Sequence, residues 1–597
     1  MNQFWERRPR LSALPLGEGR WILLSALIGA VAGLGAVAFD LCFRIAQHLF
    51  LEGLGGFLPP SAGGEGGAGF GPDGPLRLVL CVVAGALVSG ALVYGLAPEA
   101  EGHGTDAVLD AFHRKLGKIR RRVPPVKALA SAITIGSGGS AGREGPIAQI
   151  GAGFGSWLGD VLRLSNQDRR LLMMAGVAGG IGAIFRAPLG ATFFAAEVLY
   201  GTTDFEYEVL LPGLMAAIVS YSIYASYAGW GFMFAVPPLA YHRPRQLLVY
   251  ALLGLLCAVV GAIYPRVFYG ARDRVFRRLP LPAWLCPAAG ACALGALAIF
   301  FPQSLGMGYG YVQQAIQGEH TAAFLFGLAF LKILATSLTI SSGGSGGVFG
   351  PSLVIGGALG GGFGRLALTY LPALAPEPAA AVMVGMGGFF AGVARVPFAS
   401  VVMVMEMTGS YGLLVPSLLV AAMAFLFVPR GSRLYENQLE RRLDSPVHLG
   451  SFATHVLRGG RVSDAGLPRP GVTAGPQTPL SNLLELVSSA TQSLIPLVDG
   501  AGRLVGAVSI EDLRRAMISN PDDGAKPAAT LATPTPEPLT PEDDLARAAR
   551  LIAASATGEV VLVSGEARVL GTFSRRDLIV AYGHALHRLH DAKTDEA

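Results

Sequence analysis

The chain has 597 residues, 52% of them hydrophobic and 15% charged, with 81 Gly and a formal net charge of +5. Its mean hydropathy is +0.49, and ordinary soluble domains carry about 25% charged residues, so one soluble globule is excluded and lipid is the expected solvent for most of the chain. The five cysteines (Cys42, Cys81, Cys257, Cys286, Cys292) lie in apolar stretches with no CxxC spacing, so neither a disulfide framework nor a metal site is expected.

In chain order, residues 1–20 are polar and basic, with Arg7, Arg8 and Arg10, and read as a cytoplasmic segment rather than a cleavable signal peptide. Apolar runs at 21–39, 78–97, 209–228, 247–264, 283–301, 324–339 and 413–428 suit membrane spans, each of which needs roughly 20 residues. Apolar stretches at 131–160, 171–200, 345–368 and 379–408 are cut by Gly and Pro and read as too broken for simple spans. Loop 51–75 holds Glu52, Glu65 and Asp73 without Lys or Arg and should face outward. Basic clusters at 7–10, 114–122, 272–278 and 430–442 should face the cytoplasm, which puts both the N-terminus and the tail inside.

The apolar region contains a duplication. Ser137-Gly-Gly-Ser140-Ala-Gly-Arg143-Glu144-Gly-Pro146 matches Ser342-Gly-Gly-Ser345-Gly-Gly-Val348-Phe349-Gly-Pro351, at an offset of 205. Arg186-Ala-Pro188 with Glu197 matches Arg395-Val-Pro397 with Glu406, at an offset of 209. Broken apolar segments at corresponding places in two halves point to a transporter binding site.

A helix N-terminus offers unpaired N–H groups and a partial positive charge, so it attracts an anion without a full cation that would trap it. Such ends are expected at Gly102-His103-Gly104-Thr105, at Gly142–Pro146 and at 346–351. Glu144 lies inside the second. Its carboxylate would compete with an anion for the same donors and leave when protonated or displaced, which makes it a gate. Arg143 is read as bracing that loop.

From about 445 the composition becomes that of a soluble domain, with its own repeat: Ile495–Asp499, Leu504–Ser509 and Asp512 match Val560–Val563, Val569–Ser574 and Asp577. Strand, turn, strand and a helix opened by Ser-x-x-Asp is the reading for each unit.

Gly142-Arg-Glu-Gly-Pro146, Gly347-Val-Phe-Gly-Pro351 and Tyr435 together resemble the pore segments of the CLC family of chloride channels and proton–chloride antiporters, over roughly 20–445, and the tail resembles a paired CBS module. The resemblance implies an all-α polytopic membrane protein of two inverted repeats with broken re-entrant helices, followed by an α+β tandem CBS module. The divisions expected are 1–20, a transport domain at 21–445, a first CBS domain with linker at 446–520, and a second with the tail at 521–597. It further implies a homodimer in a lipid bilayer, bacterial inner membrane being the expected location. Glu144 would be the gate, and Gly145, Val348, Phe349 and Tyr435 would bind chloride or a related anion.

Two positions depart from the family pattern. His103 stands where a Ser commonly contacts the anion; either it donates an N–H to the anion, or it lines the inner mouth while Thr105 caps the helix. Val198 stands where coupled members often carry an inner proton-relaying glutamate, with Glu197 one residue earlier and turned roughly 100° away. Val cannot carry a proton, so a chloride channel is expected, with a proton-coupled antiporter as the alternative and a CBS-regulated cation transporter as a remote one. In the tail, Ser509, Asp512, Ser574 and Asp577 either bind an adenine nucleotide that regulates transport or merely cap helices. No other cofactor, no nucleic-acid partner and no enzymatic activity is expected: Ser345 in Gly343-Gly-Ser-Gly346 has no membrane histidine following it to act as base.

Overall fold

The computed structural model describes residues 19–62, 74–448, 456–466, 471–488, 492–533 and 537–594. The expected segment 1–20 and the acidic pair Glu65 and Asp73 therefore fall almost wholly outside the described residues. The chain divides into two compact units, one ending at Val447 and the other beginning at His448.

The first unit is helical. Its α-helices, among the described residues, are α1 (Gly19–Gln47), α2 (Gly74–Leu96), α3 (Thr105–His113), α4 (Val123–Gly136), α5 (Glu144–Val161), α6 (Asn166–Phe185), α7 (Pro188–Glu197) and α8 (Leu210–Ala228), then α9 (Leu247–Arg274), α10 (Cys286–Phe300), α11 (Tyr309–Gln317), α12 (Ala322–Ile340), α13 (Phe349–Tyr370), α14 (Pro378–Ala394), α15 (Pro397–Thr408) and α16 (Leu414–Phe427). Among the described residues, seven helical stretches are long and apolar enough to cross a membrane. Six coincide with expected spans. The seventh is α13, where the sequence suggested a broken segment; its helix is continuous for 22 residues. Its glycines cost helix propensity but let α14 approach: a Cβ on Gly356 or Gly385 would strike the other helix's backbone. Conversely, the span expected at 413–428 is a 14-residue helix, α16.

The duplication is visible as a local two-fold relation, and the halves are inverted repeats. Gly142 and Gly347, 205 residues apart, exchange N–H···O bonds of 2.8 and 2.7 Å. Glu197 at the end of α7 accepts from the N–H groups of Phe398 and Ala399, at 3.2 and 2.8 Å, at the start of α15. Glu406 on α15 returns the arrangement at the start of α7, accepting from Leu189 and Gly190 at 3.1 and 2.7 Å. Each carboxylate satisfies N–H groups that a helix start leaves unpaired and complements its dipole. A large apolar core, from Ala36 to Tyr435, occupies the unit, with smaller clusters beside it, among them one of Leu51, Phe57 and Leu78 and one of Leu24, Ile28 and Leu158.

The second unit holds two similar motifs. Strand β1 (Leu494–Val498) pairs antiparallel with β2 (Leu504–Ser509), and β3 (Glu559–Val563) with β4 (Val569–Ser574). Both hairpins shift register at the equivalent place, Leu497/Val498 and Leu562/Val563. Helices α17 (Leu480–Ser488) and α18 (Ile510–Ser519) accompany the first, α19 (Leu545–Ala554) and α20 (Arg575–Thr594) the second. Leu494, Ala507, Val561 and Val563 form one shared apolar cluster that joins the motifs.

Candidate functional site

The bend at Gly142-Arg143 starts α5 at Glu144, deep in the first unit, where only 3% of its surface is exposed. The start of α13 faces it, and the Gly350 N–H donates to Glu144 Oε1. The other carboxylate oxygen is buried without a partner. A Cβ on Gly347 would lie 2.9 Å from the Gly142 carbonyl oxygen, as well as 2.8 Å from Oε1, so a glycine lets the two backbones come this close. A carboxylate thus lies where two helix N-termini converge, a setting that suits an anion.

Thr105, Glu144, Ile181, Phe194, Phe349, Met403 and Tyr435 line a small cavity at this point. Phe349, the counterpart of Glu144, packs its ring 4.2 Å from that of Phe390 and 4.9 Å from that of Phe185. Val348 is the buried N-cap residue of α13. Gly145 is packed so closely on the loop before α3 that a Cβ would strike the His103 carbonyl oxygen. Glu144, Phe349 and Tyr435 are therefore brought together at the cavity, with Gly145 and Val348 on the flanking helix starts.

Tyr435 is 1% exposed and its hydroxyl has no hydrogen-bond partner. Several hydrogen bonds hold its segment, among them one from Leu434 N to the Val393 carbonyl at 3.1 Å. Tyr269 Oη donates to the Leu434 carbonyl at 2.5 Å. The Asp106 carboxylate accepts from Glu436 N at 3.2 Å and Asn437 N at 2.9 Å. His103 lies beside Tyr435, with ring centroids 5.5 Å apart. Its Nε2 is 3.5 Å from Asp106 Oδ2, and its buried Nδ1 has no partner. Helix α3 has no side-chain cap; Gly104, with φ +79°, is its N-cap residue. That removes the capping role considered for Thr105, since a glycine in the positive-φ region already turns the chain into the helix.

Val198 is buried at the C-cap of α7, where its carbonyl accepts from Gln438 Nε2 at 3.0 Å, and it does not line the cavity. Arg143 braces α1 through Asp40, at 2.5 Å, and borders a separate cavity of about 640 Å³ that Arg44, Glu52, Arg186 and Tyr309 also line. Ser345 Oγ donates to the Ala100 carbonyl at 2.8 Å and lies 2.9 Å from Ser131 Oγ. Among the described residues no group of three or more His, Cys, Asp or Glu side chains has a metal-binding arrangement.

Two features went unread in the sequence. One is the Asp106 clamp on the Tyr435 segment. The other is a pair of fully buried lysines, Lys127 and Lys332. Lys127 Nζ donates to the carbonyls of Ala100 (3.0 Å) and Gly102 (2.7 Å), Lys332 Nζ to those of Ser304 (3.4 Å) and Gly306 (2.5 Å). Their separation of 205 residues, the motif offset, was the available signal.

In the tail, Ser509 Oγ accepts from Glu511 N at 3.1 Å and caps α18. Asp512 is half exposed, with Arg515 3.8 Å away. Ser574 donates to Asp577 through Oγ at 2.6 Å and through its backbone N at 2.9 Å.

The voltage gated chloride channel family profile matches residues 85–428, and the CBS domain profile matches 462–519 and 528–584. The H(+)/Cl(-) exchange transporter ClcA of Vibrio campbellii is 29% identical over 431 residues, covering 71% of this chain and 89% of the relative. A ClcB-like protein of Ralstonia nicotianae, provisionally named a chloride channel protein, is 30% identical over 434 residues, covering 72% and 98%. The solved structure of a slow cyanobacterial Cl−/H+ antiporter superposes with a TM-score of 0.61 at 22% identity, covering 68% of this chain and 94% of that one.

Proposed function

The chain belongs to the voltage gated chloride channel family, the CLC family, with a CBS pair as its tail, and from that premise we propose that it exchanges chloride for protons across its membrane. Anion transport is the family's activity, and this chain is an integral membrane protein. The observation that carries the finer reading is the Glu144 carboxylate between the starts of α5 and α13, bonded to the Gly350 N–H. An ionised Glu144 occupies the anion's place. A protonated Glu144 loses its hold on those donors and yields to chloride. One residue thus handles both ions in turn. The backbone N–H groups of Gly145, Val348 and Phe349 and the Tyr435 hydroxyl complete the anion site, Tyr435 by virtue of its unpartnered hydroxyl.

Exchange is also supported by the naming of the Vibrio campbellii relative. The second reading, an uncoupled chloride channel, rests on Val198, whose side chain holds no proton. The purified chain in liposomes under a chloride gradient, with chloride efflux and internal pH recorded together, separates them. Exchange predicts proton uptake in fixed ratio to chloride loss. Chloride efflux without proton movement would establish the channel instead.

Clusters Arg114–Arg122 and Arg272–Arg278 support a cytoplasmic face on the tail side, in a bacterial inner membrane. Assembly as a homodimer is proposed from family membership. At the CBS pair we read Ser509, Ser574 and Asp577 as helix caps, because their polar atoms are engaged in their own helix starts. An adenine nucleotide would have Asp512 as its freest contact; isothermal titration with ATP tests this, and heat of specific binding would contradict the capping reading.

A further inference from the structure

Resting on that exchange reading, we propose that His103, charge-balanced by Asp106, hands protons between the tail-side solution and Glu144, the task for which Val198 has no group. A proton moving between that side and Glu144 must be relayed past the anion cavity, and a side chain that can bind one is a candidate carrier. Glu197 is not available, since both its oxygens accept helix N–H groups at the start of α15.

The titratable and charged groups near His103 are otherwise engaged. Lys127 on α4 is held by two carbonyls. Tyr269 on α9 donates to the Leu434 carbonyl. Glu436 is paired with Arg272 through two bonds of 2.6 Å. Asp106 accepts from two backbone N–H groups and faces the imidazole. Tyr264 on α9 has an unpartnered hydroxyl, but phenols stay protonated at neutral pH. His103 has a buried ring nitrogen without a partner, and an imidazole can accept a proton at one ring nitrogen and release one from the other.

The second half supplies an independent argument. Its equivalent loop, Gly306-Met307-Gly308, repeats the positive φ of both glycines (+61° and +89°, against +70° for Gly102 and +79° for Gly104) and the lysine clamp. Met307 occupies the place of His103. The loop's shape therefore needs no imidazole, and the histidine is present for chemistry.

The step balances as follows. His103 takes a proton from the tail-side solution at Nε2, the nitrogen that faces the partly exposed Asp106, whose ionised carboxylate stabilises the imidazolium; the proton passed inward is the one on the buried Nδ1. Tyr435 adjoins His103 and shares the cavity with Glu144. Its hydroxyl passes its own proton to the Glu144 carboxylate and takes the imidazolium proton in return. Glu144 becomes a neutral acid, chloride replaces it, and His103 returns to neutral imidazole. Only N–H and O–H bonds form and break.

The full chain and its His103→Gln, His103→Glu and Asp106→Asn variants, reconstituted in liposomes, test this through simultaneous chloride efflux and proton uptake at several internal pH values. In His103→Gln the protons moved per chloride should fall at least about tenfold. His103→Glu should restore coupling with its optimum at lower internal pH. Asp106→Asn should shift the half-maximal proton flux to lower pH, because the imidazolium loses its counter-charge. A wild-type ratio in His103→Gln, or no more coupling in His103→Glu than in His103→Gln, overturns the inference and leaves the exchange reading standing. Chloride movement without protons in the wild type overturns both. If His103→Gln passes no chloride, the Asp106→Asn pH profile decides, and an unshifted profile overturns the inference.

Discussion

In the first half of the transport unit, α5 opens on Glu144; in the second, α13 opens on Phe349, at the same position after the same Gly-rich bend. Around this pair the halves agree closely. Both have the Gly142/Gly347 exchange, the lysine clamp and the carboxylate that caps the opposite half's helix. They differ at the sites of proposed chemistry: Glu144 against Phe349, and His103 against Met307. What is repeated is scaffold. What is unrepeated is where ion handling is proposed, since a second buried carboxylate would compete for the same helix donors.

The largest effect is expected where the halves differ. Glu144→Gln should lower proton flux by about 100-fold or more and remove the pH dependence of chloride flux, since an amide neither ionises nor carries a proton. Unchanged pH dependence in a reconstituted flux assay would break the gate assignment.

Where the halves agree, matched variants should behave alike. Lys127→Met and Lys332→Met each leave two buried carbonyls without their donor, at a cost of about 1–3 kcal/mol. Thermal unfolding in detergent should show the two losses similar in size; a loss in only one would show that the clamps are not equivalent. Glu197→Ala and Glu406→Ala remove a helix cap each, at about 1–2 kcal/mol. The fully buried Glu197 should cost more than the partly exposed Glu406, and neither should alter the proton-to-chloride ratio. A reduced ratio in Glu197→Ala would return Glu197 to the proton path. The smallest effect is expected in the tail, where Ser509→Ala should lower stability by about 1 kcal/mol and leave chloride flux unchanged.

The duplication, the helix starts and the place of Glu144 at one of them were legible because each leaves a local signature: Gly-Pro punctuation, a repeated offset, an acid in an apolar run. The continuity of α13 was not legible. Its glycines read as breaks, whereas they face α14 and are compensated by close packing. The Asp106 clamp joins residues 330 or more apart in sequence, and no local pattern announces such a contact. Lys127 and Lys332 were within reach, since an isolated lysine in each of two apolar helices at the motif offset calls for buried acceptors. The role of Glu197 followed a similar course: its spacing excluded the relay position, but only the folded chain shows that it caps α15.

The central claim is that chloride and protons move by one coupled mechanism through Glu144. The most direct test is the reversal potential of the purified chain in a planar bilayer, held at a fixed chloride gradient while a proton gradient is added. Coupled exchange predicts a reversal potential that moves with the proton gradient and that ceases to do so in Glu144→Gln. A wild-type reversal potential that stays at the chloride equilibrium value, whatever the pH difference, would contradict the account.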